Sequence, residues 1–324
     1  MKHLPILAAG LMVLSLPAAA ADLRIAVGCP PVPQCADWVF AEDVATRMNE
    51  AGMSAEVVPG GALGRDPDVV DQLSQGLLEM ALTNFVMVRQ FEPMVLGFMT
   101  PYMFDDQAHM FRGIDEGSVL ARINETLADE GLHLATLTGL GGPLGIFNAR
   151  APVSSIEDMA PLRLRAIDRS QVALFEAWGT QGVVIDMAEF ATSVQSRVVD
   201  GYFNPPIVPL MFQHTDMLTH YTEIGAGWGV RSVLVSADWH EGLSEDDRAT
   251  FDEVISEATA ANRAWSLAAE EAEIPALEAR GVTVTQLPDD VLEEFRSRAR
   301  TAWGELMPPE YIDTFEALAA ATRE

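Results

Sequence analysis

Between Leu23 and Asn84 the chain alternates short apolar runs with one-faced helical segments, and this alternation limits its folds more than any other feature. Leu23-Arg24-Ile25-Ala26-Val27 reads as a strand, and Asp37 to Ala51 as a helix with Val39, Phe40, Val44 and Met48 at helical spacing. Ser54 to Val58 reads as a second strand, turned by Pro59-Gly60-Gly61. Asp68 to Gln75 is a second helix stopped at Gly76, and Met80 to Thr83 a third strand that ends on polar Asn84. A βαβαβ run implies parallel strands joined by right-handed crossovers. Gly60-Gly61-x-x-Gly64 lacks the Gly-x-Gly-x-x-Gly spacing of a dinucleotide site, so that reading is set aside.

At 324 residues the chain exceeds the usual single domain, and two lobes are the expectation. Asp106 to Glu130 reads as one helical stretch and His133 to Thr138 as a strand. Gly139 to Gly145 is a glycine-rich crossing suited to a hinge. A second lobe then contains the helix Arg169 to Trp178, the strand Val183 to Ile185 and the helix Ala188 to Val198. Ile224 to Val235 is a strand-like crossing back, rich in glycine around Trp228. Ser244 to about Arg280 is the longest helical run, with a start resembling a capping box, Pro275 near its end and Gly281 as a stop. Val282 to Gln286 is a last strand and Asp289 to Glu305 a terminal helix.

The segment Glu157 to Pro205 carries the functional signal. Ser155, Glu157 and Asp158 form one acidic helical turn. Leu162, Leu164 and Ala166 then alternate with Arg163, Arg165 and Ile167, which makes a short strand. Open α/β sheets place ligands at strand carboxyl ends, where this strand delivers Arg165. The planar guanidinium fork fits two carboxylate oxygens at once. On the residues alone, an ion pair from Arg165 to Asp158 or Asp186 is an equal alternative, and Asn204 before Pro205 could be a turn residue.

Glu157-Asp158-Met159-x-x-Leu162-Arg163-Leu164-Arg165, followed by Val198-Val199-Asp200-Gly201-x-x-Asn204-Pro205, resembles the DctP-type periplasmic solute-binding proteins of tripartite (TRAP) transporters. Gly60-Gly61-Ala62-Leu63-Gly64, Gln75 to Met80 and Pro101 to Asp106 extend the likeness over most of the chain. The resemblance implies that Arg165 binds a ligand carboxylate and that Asn204 hydrogen-bonds the ligand. It also implies a two-lobed α/β Venus-flytrap fold with a long helix under both lobes. The expected division is residues 22–140 with about 230–270 in lobe I, and about 141–229 with 271–324 in lobe II. Two features depart from the pattern. Pro161 stands where the family usually has glycine, and Gly142 to Ile146 contains no counterpart of a second basic residue, Arg150 falling several residues late. One arginine argues against a strongly bis-anionic ligand. Asn84, Phe85 and Met187 are further candidate contacts at strand ends or helix entries, with core packing as the alternative for the last two. Trp228 either walls the cleft or packs the hinge.

Lys2 and His3, the apolar run Leu4 to Leu16 and the small residues Pro17 to Ala21 read as a signal peptide over residues 1–21, too short to span a bilayer. Its removal leaves 19 arginines against 48 acids, a net charge of −29. Such a chain is not matched to nucleic acid or anionic membrane surfaces, and any anion site on it must be local. The periplasm is the expected location, without membrane insertion, as a monomer. The only cysteines, Cys29 and Cys35, are expected as a disulfide worth ~2–3 kcal/mol, with a metal pair or free thiols as alternatives. No metal or cofactor is expected. The histidines lack i, i+4 pairing, and no Gly-x-Ser-x-Gly, His-Glu-x-x-His or P-loop is present. The reading is capture of a small organic anion for a TRAP permease. The alternatives are a ligand sensor and an enzyme acting on a carboxylate through His214 or His240.

Overall fold

A computed structural model describes residues 23–324, so the signal peptide read over 1–21 lies outside the described residues. The first three strands, β1 (Leu23–Val27), β2 (Ala55–Val58) and β3 (Met80–Asn84), alternate with helices Ala36–Glu50 and Asp66–Ser74. They lie in a five-stranded sheet of order β2-β1-β3-β10-β4, completed by β4 (Leu132–Pro143) and β10 (Trp228–Ser236). The β1 pairs are parallel, whereas β10 runs antiparallel to β3 and β4. The second lobe is a six-stranded sheet of order β11-β9-β5-β8-β6-β7. Its strands are β5 (Gly145–Asn148), β6 (Arg163–Ala166), β7 (Gln181–Val184), β8 (Gly201–Asn204), β9 (His220–Glu223) and β11 (Thr283–Gln286).

Two strands carry the chain between the sheets. Only Leu144 separates β4 from β5, and residues 224–227 lead from β9 back into β10. The two crossings are tied together, with Leu144 N donating to Gly227 O at 2.7 Å and Ala226 N to Leu144 O at 3.3 Å. The third link is the helix Glu245–Glu278, 34 residues long. Ser244 caps it by accepting from Asp247 N, and it ends before Gly281, whose φ of +83° only glycine adopts freely. This helix packs on helix Ala36–Glu50 and β4 in one lobe and on β11 and helix Ile207–Met211 in the other. At 1.5 Å per residue it is long enough to underlie both.

Four sequence expectations need correction. Gly117, with φ +75°, breaks the expected helix Asp106 to Glu130 into Gln107–Asp115 and Ser118–Ala128. The glycines from Gly139 onward continue β4 as strand to Pro143, because the long helix supplies partners for their N–H groups. Asn262 Oδ1 accepts from Gly139, Ser266 Oγ from Gly141 and Glu273 Oε2 from Gly142, at 2.8, 2.8 and 2.9 Å. A Cβ on Gly139 would lie 2.6 Å from Ser266 Oγ, so the close approach requires glycine. The stretch Ala188 to Val198 holds a 3₁₀ turn, Met187–Glu189, and a short helix, Phe190–Gln195. The helix from Asp289 stops at Thr301, and the C-terminus is formed by a further helix, Pro309–Thr322, packed on Gln107–Asp115 and Pro93–Met99.

Candidate functional site

The turn before β6 is built by Asp158, whose carboxylate accepts from Ser154 and Ser155 N–H at 2.9 and 3.0 Å. β6 then runs parallel to β8, with Arg165 beside Tyr202, so both strands present their carboxyl ends at one edge of the sheet. Side chains alternate along a strand, which puts Arg165, Tyr202 and Asn204 on one face.

Arg165 is 8% exposed. Its Nε donates to Ile185 O at 2.8 Å, and among the described residues no carboxylate comes within 4.0 Å of its guanidinium. Burial pushes its pKa down, and only the more distant charges of Asp186, Tyr202 and Asp168 oppose that. Asp158 is committed to its own turn. Asp186 accepts from Ala188 N, and its Oδ2 lies 3.7 Å from Arg65. Neither carboxylate that could neutralise Arg165 does so. Asn204 is equally buried, and its Nδ2 has no partner among the described residues. A buried cation without a counter-charge and a buried N–H donor without an acceptor are each costly, and an anionic ligand satisfies both.

The other candidates are dispersed. Asn84 is half-buried at the end of β3, its Oδ1 accepting from Val86 N and its N–H donating to Asp66 Oδ2. Met187 is half-buried against the cluster containing Phe190 and Tyr202. Trp228 sits at the crossing, beside Pro143, with Nε1 donating to Glu270 at 3.2 Å. Phe85 lines a cavity of about 40 Å³ with Leu96, Leu144, Leu174 and Phe203. Phe203 points away from the face of Tyr202 and Asn204, so this cavity lies behind the Arg165 face rather than in front of it.

Three arginine pairs escaped the sequence reading. Arg231 on β10, registered between Asn84 and Thr138, is bound to Asp37 at 2.8 Å and lies 4.0 Å from Asp66. A charged residue inside the apolar run of β10 was the available signal. Arg89 reaches Asp168 at 2.6 Å, and Arg65 reaches Asp186. Both of these connect a residue of the first lobe with one of the second.

Cys29 and Cys35 are joined in a disulfide. They form, with Asp37, the one grouping of three potential metal ligands among the described residues. Bonded sulfurs are not thiolate ligands. His214 is buried among Phe190, Tyr202 and Phe212, and that burial pulls it down to about 4. His240 lies 3.3 Å from Asp252 and stacks on His133. No helix among the described residues is long and apolar enough to cross a membrane.

The DctP family model, described as bacterial extracellular solute-binding protein, family 7, matches residues 33–309. The C4-dicarboxylate-binding periplasmic protein DctP of Rhodobacter capsulatus is 26% identical over 326 residues, covering 96% of this chain and 92% of its own. The ectoine-binding periplasmic protein TeaA of Halomonas elongata is 24% identical over 257 residues, 76% of this chain and 73% of that one. The fold is shared with the sugar acid binding protein DctPAm of Advenella mimigardefordensis in complex with galactonate, at a TM-score of 0.84 and 20% identity, over 94% of this chain and 99% of the other. It is shared too with a TRAP periplasmic solute binding protein of Pseudomonas putida F1 with bound D-glucuronate, at a TM-score of 0.82 and 24% identity, covering 94% and 98%. The chain therefore belongs to family 7 of the bacterial extracellular solute-binding proteins.

Proposed function

We propose that this protein captures a small carboxylate-bearing solute in the periplasm and delivers it to a TRAP-type permease. The observation that carries the reading is Arg165, a buried guanidinium whose neighbouring carboxylates are engaged elsewhere. The ligand carboxylate pairs with Arg165, and Asn204 Nδ2 donates to it or to an adjacent oxygen. The relatives named for C4-dicarboxylates, galactonate and glucuronate bind molecules with that group.

Capture needs no covalent step. The lobes close because contacts from both sides are available together only in the closed form, and the permease reads that form. Arg89–Asp168 and Arg65–Asp186 bring opposite charges together between the lobes and support a closed arrangement of this kind. In this reading Asn84 is the first lobe's contribution, and Met187 an apolar contact for the ligand body. A thermal-shift panel of organic acids that includes succinate, galactonate, D-glucuronate, pantoate and ectoine tests the reading. A binder present at a hundredfold over its Kd stabilises by ~2.7 kcal/mol and raises the melting temperature. An unmoved melt across carboxylates of every class would contradict it.

A further inference from the structure

Where the long helix passes under the crossing, it presents Asn262, Ser266 and Glu273 to the backbone of β4. The first two are neutral. Glu273 is a carboxyl group, 2% exposed, at the last of these contacts before the chain enters the second sheet. Its Oε2 accepts from Gly142 N at 2.9 Å, and it lies beside the Ile207 N–H, at the start of the helix that follows Asn204-Pro205. It thus touches the outgoing crossing from one lobe and a helix of the other.

Its second oxygen, Oε1, is buried without a partner, and so is Oε1 of Gln107. Both side chains meet at Gly141: Gln107 Nε2 donates to Gly141 O, and a Cβ on Gly141 would lie 2.0 Å from Glu273 Oε1. A buried carboxyl oxygen without a donor is a poor place for a carboxylate and a better one for a carboxylic acid, whose O–H donates. The charges nearby point the same way. Glu270, on the same helix, binds Trp228 Nε1 of β10. Tyr221 of β9 donates to Pro143 O, and Asp106 and Glu223 stand further out near Glu270. The Gly142 and Ile207 N–H groups favour the ionised form, but burial outweighs them and, reinforced by Glu270, raises Glu273 to about 8.

We propose that Glu273 is a proton-operated latch on the crossing. Protonated, it holds β4 and helix Ile207–Met211 against the long helix, and ionised, it draws water and releases them toward the open arrangement. A carboxyl raised in the folded state contributes stability that is complete below its ordinary value of 4.5 and is lost as pH rises through about 8. Mildly alkaline conditions therefore favour opening and solute release.

Two measurements on the ligand-free chain test this. Infrared spectra of wild type minus Glu273→Gln should show a protonated-carboxyl carbonyl band at pH 6 that disappears as pH is raised through about 8. Solution scattering should show a radius of gyration that grows between pH 6 and pH 9.5 in wild type and stays constant in Glu273→Gln, because the amide mimics the neutral acid. The infrared titration of wild type alone needs no variant to fold. A carboxylate already ionised at pH 6 overturns the proposal, and so does a band that titrates while the radii of wild type and variant respond alike. Either result leaves the anion reading of Arg165 untouched.

Discussion

Two buried arginines with opposite circumstances show how far single residues decide the account. Arg231 is matched by Asp37 at 2.8 Å, so its charge is part of the fold. Arg165 donates to Ile185 O and is matched by no carboxylate among the described residues, which leaves its charge open to the proposed ligand. Asp37→Asn leaves Arg231 buried beside an amide, and breaking a buried pair by removing one partner costs on the order of 3–5 kcal/mol. The melting temperature of the ligand-free protein should drop clearly; an unchanged melt would show that Asp66 alone satisfies Arg231. Arg165 and Asn204 stand out in sequence because each stands at the end of a short motif, Glu157 to Arg165 and Val198 to Pro205, and their role as ligand contacts is the proposal. Arg231, Arg89 and Arg65 do not stand out, since their partners arrive from other elements: Asp37 is 194 residues from Arg231, and Asp168 is 79 from Arg89. Local pattern cannot report an ion pair that the topology creates.

Elements with a strong local pattern read correctly, and those defined by a neighbour did not. β1, β2, β3 and helices Ala36–Glu50 and Asp66–Ser74 match the expected boundaries within two residues, because periodicity and, for the second helix, the Gly76 stop specify them. The long helix was legible from Ser244 and Gly281. β4 was cut short at Thr138 because a glycine run looks like a hinge until Asn262, Ser266 and Glu273 are seen beside it. The C-terminal helix Pro309–Thr322 was missed altogether, its position being fixed by packing on Pro93–Met99. That contact is tight: a Cβ on Gly97 would lie 2.2 Å from the Phe315 ring. Gly97→Ala must push Phe315 aside, and overpacking of this kind costs roughly 1–3 kcal/mol. A lowered melting temperature with solute affinity unchanged is expected, whereas an unaltered melt would mean that the C-terminal helix shifts freely.

At the scale of the molecule, a chain of net charge −28 holds a site for an anion. The long-range field opposes such a ligand, so affinity must come from short-range, desolvated contacts made as the lobes close. Two lobes were legible from the length, and the long helix beneath both of them from the family resemblance. The side of the second sheet proposed to carry the site follows only from the alternation of Arg165, Tyr202 and Asn204 once β6 and β8 are paired. The direct test of the central claim is calorimetric titration of Arg165→Ala with the acid that shifts the wild-type melt, beside a melt of the ligand-free variant. Losing a charge-assisted pair in a closed cleft costs on the order of 2–5 kcal/mol, or roughly 30- to 4,000-fold in Kd. Arg165→Lys, which keeps the charge without the fork, should fall between. With Arg165 as the carboxylate clamp, Arg165→Ala stays folded and loses affinity by that factor; a folded Arg165→Ala protein that binds the same acid as tightly as wild type would rule the clamp out.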